Sequence, residues 1–114
     1  MIDIDSLAKL GRIEKVLEIN KDLKVKVHTL SASEQHEALS SIPTDDSSEF
    51  IKVARLSHSV LVLATDEING EKVTKDEASN AYSVMQASLV SDIFTAQQSL
   101  SKDQDKVLEA LKKK

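Results

Sequence analysis

The stretch from Glu49 to Val73, EFIKVARLSHSVLVLATDEINGEKV, decides how this chain folds. Phe50, Val53, Ala54, Leu56, Val60, Leu61, Leu63 and Ala64 recur at three- and four-residue spacing, the period of an α-helix. Ile51 and Val62 widen the apolar surface beyond one face, and only Lys52, Arg55 and Ser59 make a clear polar stripe. A helix this apolar is expected to be covered on most sides and to form the core, with Leu56, Val60 and Leu63 almost fully buried. The residues ahead of it, Thr44 to Glu49, are rich in capping side chains, and Asp46 stands three before Glu49. Asn69-Gly70 predicts a tight hairpin turn, since both residues tolerate positive φ. Thr74-Lys75-Asp76-Glu77 then spells a capping box that starts the next helix.

Upstream the period changes. Leu23 to Thr29 alternates apolar and polar, which predicts a strand with Leu23, Val25 and Val27 on one face and Lys24, Lys26 and His28 on the other. Ile13, Leu17 and Ile19 predict a partner strand, with Val16 marking a bulge and Asn20-Lys21-Asp22 the turn. Ile4, Leu7 and Leu10, followed by Gly11, predict a short leader helix that must dock on the body or fray. Ser31-Ala32-Ser33-Glu34 is a capping box for a short helix carrying Ala38, Leu39 and Ile42 inward, stopped by Pro43. From Lys75 the pattern is helical to Leu111, with a break expected between residues 88 and 91. The expected fold is therefore α+β. A single domain spans 1–114, with a docked leader over 1–11, a two-stranded antiparallel hairpin over 12–30, and a bundle of about four helices with a short Asn-Gly turn over 31–114.

Composition narrows the function. The chain has 114 residues, 40% hydrophobic and 30% charged, with a net charge of -4 and only 3% aromatics: Phe50, Tyr82 and Phe94. An acidic balance argues against a nucleic-acid partner, which needs concentrated positive charge. The absence of cysteine removes disulfides, thiol chemistry and Cys-ligated zinc. The longest apolar run, Val60 to Ala64, is far short of a membrane span, and no signal-peptide core is visible at the start, so a cytosolic protein is expected. His28, His36 and His58 lack the helical spacing of metal ligands, and Asp103-Gln104-Asp105 lacks the glycine and glutamate of a calcium loop. The two glycines, Gly11 and Gly70, make no phosphate-binding loop, and no serine lies in a nucleophile elbow. No catalytic, cofactor-binding or metal residue is expected.

The last helix carries a seam. Ile93, Leu100 and Val107 lie seven apart, as do Val90, Gln97, Gln104 and Leu111. Polar residues within such a seam fit either ordinary packing within the domain or a helix–helix contact that exchanges rather than a dry permanent one.

In order, the chain presents Gly11-Arg12-Ile13-Glu14-Lys15, Thr29-Leu30, Ser31 to Gln35, the apolar helix, Ile68-Asn69-Gly70, Val90-Ser91-Asp92-Ile93-Phe94 and Asp103-Gln104-Asp105 before a lysine-rich end. This order resembles a family of small tailed-bacteriophage proteins, the tail assembly chaperones and related baseplate-hub assembly proteins. It departs from that family at Ala87-Ser88-Leu89, where the family has a proline. The resemblance implies a non-enzymatic assembly factor in the host cytoplasm, without cofactor, nucleic acid or membrane. Its partners would be tape-measure or hub proteins, with self-association as a further contact. The alternative it implies is a structural baseplate component kept in the virion. It also implies a longer frameshifted product, with codons for Lys112 to Lys114 as the slippery run. With the last helix as the remaining free surface, Leu100, Val107, Leu108 and Leu111 are the expected partner-binding residues.

Overall fold

The computed structural model describes residues 2–45 and 48–112, and the backbone alone of residue 101 and residues 103–112. In chain order the elements are α1 (Ile4–Lys9), β1 (Glu14–Asn20), β2 (Leu23–His28), α2 (Ala32–Ser40), α3 (Glu49–Ala64), β3 (Thr65–Ile68), β4 (Glu71–Lys72), α4 (Lys75–Val84) and α5 (Ala87–Lys112). The fold is α+β, with one antiparallel sheet ordered β1-β2-β3-β4 against which α3 and α5 pack.

The sheet has four strands rather than two. The Asn-Gly hairpin forms as expected, with positive φ at both Asn69 and Gly70, but it does not stand apart from the first hairpin. β3 pairs along the free edge of β2, placing Val25 opposite Ile68 and Lys26 opposite Glu67. An edge strand leaves a row of backbone groups unpaired, and β3 satisfies them. Asn69 finishes the seam: its amide donates to the Lys24 carbonyl at 2.7 Å and its Oδ1 accepts the Lys24 N–H at 2.8 Å. Val16 is not a bulge. It lies in register opposite Lys26, and the irregularity falls between Glu18 and Asn20, next to the turn that Asn20 Oδ1 closes on the Asp22 amide. On the polar face Lys26 stands between Glu14 and Glu67, and Lys24 beside Glu18.

The helix starts are local chemistry. Asp3, Ser31, Ser48 and Thr74 each accept an amide of the first turn, and Ser31/Glu34 and Thr74/Glu77 form complete capping boxes. For α3 the cap is Ser48; Asp46 lies outside the described residues. The break between the last two helices falls at Met85–Gln86, ahead of the expected 88–91, because the Gln86 carbonyl already accepts the Leu89 and Val90 amides that open α5.

The main core joins Leu17, Val25 and Val27 of the sheet to Leu61, Ala78, Tyr82, Ile93 and Leu100. Inside it the Tyr82 hydroxyl meets Thr65 Oγ1 at 2.6 Å, and Thr65 Oγ1 donates to the Leu61 carbonyl at 2.6 Å. Tyr82 is thus the donor of the first bond. Burial pushes the Tyr82 phenol above its ordinary value.

Two expectations about coverage fail. α3 is not core along its length: Val60, Leu61, Leu63 and Ala64 are buried, Leu56 is half-covered, and Phe50, Ile51 and Val53 lie exposed. A sixteen-residue helix runs about 24 Å, and only its second half lies over the sheet and α5. The leader does form a helix, closed by Gly11 at φ 77°, but it is not docked: α1 buries none of its residues. Among the described residues no helix is long and apolar enough to cross a membrane.

Candidate functional site

The uncovered half of α3 builds a groove. Phe50, Val53, Ala54 and Ser57 form one wall, Tyr82, Ser83 and Met85 at the end of α4 the second, and Ala87, Val90 and Phe94 at the start of α5 the third, around about 490 Å³. Tyr82 is buried and Phe94 half-buried, whereas Phe50 stands at the lip, 82% exposed. Among the described residues no carboxylate, ammonium or guanidinium lines the groove, and the one titratable side chain besides Tyr82 is His58, whose Nε2 lies 3.0 Å from Ser79 Oγ and ties α3 to α4. Such a groove selects for shape and apolar area.

All three aromatic residues of the chain, Phe50, Tyr82 and Phe94, line this one groove. Aromatic side chains are concentrated at the centres of protein interfaces, where they offer large rigid area at little entropic cost. In a chain so poor in them, their meeting at one place marks the groove. A smaller groove of about 280 Å³ lies between α2, α3 and α5, but its lining includes Gln35, Gln97 and Gln98 beside Leu30, Leu39 and Leu56, so it is a more polar surface.

The densest polar cluster is elsewhere. His28 is 4% exposed, with Nδ1 2.9 Å from Asp66 Oδ2 and Nε2 3.1 Å from Glu34 Oε2. Asp66 reaches it because the β2–β3 pairing slips between Lys26 and Val27, which leaves Asp66 as the extra residue. Glu34 reaches it as the third residue of the α2 capping box. Arg12 Nη2 lies 3.8 Å from the same Asp66 oxygen. Burial pushes the Glu34 carboxyl up, but the Ser31 amide, the hydrogen bond and charge of His28 and the Ser31 hydroxyl together hold it below its ordinary value. An imidazole enclosed on both nitrogens is a strut joining β2, β3 and α2. Its parity with Lys24 and Lys26 was expected; its burial was not, because α2 folds over that end of the strand. His36 is exposed, and among the described residues no group of three His, Cys, Asp or Glu side chains is placed to hold a metal ion.

The expected partner seam divides. Leu100 is 1% exposed and belongs to the main core, so it is not a free contact surface. Gln97 is buried too, its Nε2 donating to the His28 carbonyl at 3.2 Å, which fastens α5 to the sheet in a permanent contact. The side chains of Gln104, Val107, Leu108 and Leu111 lie outside the described residues. Sequence reasoning missed Phe50 and Val53 because a fully apolar helical turn reads as core; the scarcity of aromatics was the signal that could have found them.

No family model matches this chain, and no curated protein or solved structure is significantly similar to it.

Proposed function

We propose that this chain is a tailed-bacteriophage tail or baseplate assembly chaperone, working in the host cytoplasm by protein–protein contact rather than catalysis. Its client is an amphipathic helix of a tail protein, of the tape-measure or hub class, seated in the groove between α3, α4 and α5. The observation that supports this reading is the convergence of Phe50, Tyr82 and Phe94 on one open apolar groove. The motif order that resembles the phage family supplies the identity of the client; the groove supplies the mode, a helix laid in an apolar channel and read by anchors three and four residues apart. An apolar lining also makes binding nearly independent of salt, unlike a charge-steered contact.

The test is co-purification of tape-measure and hub proteins with wild type and with Phe50→Asp. Phe50 is so exposed that the substitution leaves the melt close to wild type, while client recovery falls at least tenfold. Undiminished recovery overturns the groove as the client site. Mass spectrometry of mature particles places the protein in its role: absence fits a chaperone, and stoichiometric presence fits a structural baseplate component.

A further inference from the structure

α1 is an amphipathic helix without cover. Ile4, Leu7 and Leu10 lie along one side at 68%, 56% and 57% exposure, with Ile2 exposed just ahead of them, while Asp5 and Lys9 fall on the other side. Six residues are too few to hold a helix in water without an apolar surface to lie on. The same chain carries an apolar groove between α3, α4 and α5, and α1 lies elsewhere, beside Leu30 to Ala32 at the start of α2.

We propose that α1 of one copy seats in the α3–α4–α5 groove of a second copy, and that two copies exchange these helices about a two-fold axis. The inference rests on the groove being the docking surface, and it makes α1 a stand-in for the client helix that keeps the groove covered until a client displaces it.

Area argues for the reciprocal form. The uncovered parts of Ile2, Ile4, Leu7 and Leu10 expose on the order of 400 Å², and those of Phe50 and Val53 at the groove roughly 250 Å². One helix in one groove therefore buries roughly 650 Å², the scale of a crystal contact, whereas the exchanged pair buries roughly 1,300 Å², within the range of a specific interface. A closed two-fold pair also leaves no free groove to propagate a fibre. Each root is fixed: Ile13 and Thr29 bond each other through backbone and side chain, and Arg12 pairs with Glu14, so the movable segment ends at Gly11.

The test is sedimentation of the full chain over a wide concentration range, for wild type, Leu7→Asp and Phe50→Asp, each checked by circular dichroism. Wild type dimerises, and each variant alone stays monomeric. Mixing labelled Phe50→Asp, which keeps its α1, with Leu7→Asp, which keeps its groove, restores a weaker pair seen by fluorescence anisotropy. A wild type that is monomeric at millimolar concentration overturns the proposal. So does a Leu7→Asp dimer as tight as wild type, or a mixture in which the two variants ignore each other. Should Leu7→Asp fail to fold, an Ile4→Ser, Leu7→Ser double variant makes the same comparison. Client co-purification separates the two readings. If Phe50→Asp loses the dimer but keeps the client, the client site lies elsewhere and the exchange stands. If Phe50→Asp loses the client while Leu7→Asp still dimerises, the groove stands and the exchange fails.

Discussion

Replacing Thr65 by valine tests the buried hydroxyl chain that links α4, β3 and the end of α3. In the structure Tyr82 donates to Thr65 Oγ1 and Thr65 donates to the Leu61 carbonyl, both at 2.6 Å. The Leu61 carbonyl keeps a second partner, the Thr65 amide, so Thr65→Val does not orphan it. It does orphan the Tyr82 hydroxyl, which sits in a side chain 3% exposed. An unsatisfied buried hydroxyl costs about 1–3 kcal/mol. Tyr82→Phe is milder. Thr65 still donates to Leu61, nothing is stranded, and the loss is one net hydrogen bond, about 1 kcal/mol. The double variant replaces both partners by apolar groups of nearly the same shape, which removes the stranded hydroxyl, so it should be more stable than Thr65→Val alone. At roughly 4 °C per kcal/mol for a chain of this length, the order of melting temperatures is wild type, Tyr82→Phe, the double variant and then Thr65→Val. Thermal melts by circular dichroism read it, and the cycle yields the coupling between the two sites. Additive losses, or a Thr65→Val no worse than Tyr82→Phe, would refute the assigned direction of donation.

Other outcomes follow from the same structure. Leu61→Ala removes a fully enclosed core side chain and should cost about 2–5 kcal/mol, while the half-covered Leu56→Ala should cost clearly less; equal losses in urea titrations would return α3 to a uniform core helix. The Glu34 carboxyl is held below its ordinary value of 4.5, so its contribution is fully present above that pH and is lost as pH falls through the lower folded value; wild type and Glu34→Gln should differ in melting temperature above pH 4.5 and converge in stronger acid. Tyr82 has the opposite sense, its folded value being raised above 10.0, so stability holds below pH 10.0 and declines as the pH rises beyond it; a spectrophotometric titration showing an ordinary phenol in the folded protein would contradict the burial. Gln97→Leu strands the His28 carbonyl and should lower stability by about 1–3 kcal/mol, read by hydrogen exchange at the end of β2.

Local chemistry made much of the architecture legible. A capping box needs only four consecutive residues, so Ser31–Glu34 and Thr74–Glu77 announced α2 and α4 without reference to the rest of the chain. Asn69-Gly70 announced its turn for the same reason, since left-handed φ is a property of the residue. Alternation along Leu23 to His28 sorted that strand into two faces because the period of a strand is geometric. Coverage is a different kind of quantity. It depends on which distant segment arrives, and nothing within a helix records that. Phe50 and Leu61 look alike in the periodicity, yet Leu61 lies in the main core and Phe50 stands exposed at the lip of the groove. Leu100 and Gln97 looked like a free seam, but β2 lies beneath them. Asp66 comes to His28 through a slip in strand register thirty-eight positions along the chain, which no local pattern states. The groove is the extreme case, since its three aromatics stand at 50, 82 and 94 and meet only because two helix corners fold them together. Helices, caps and turns were thus set by neighbouring residues, whereas the sheet edge that β3 fills, the strut at His28 and the groove itself exist only once the chain has packed.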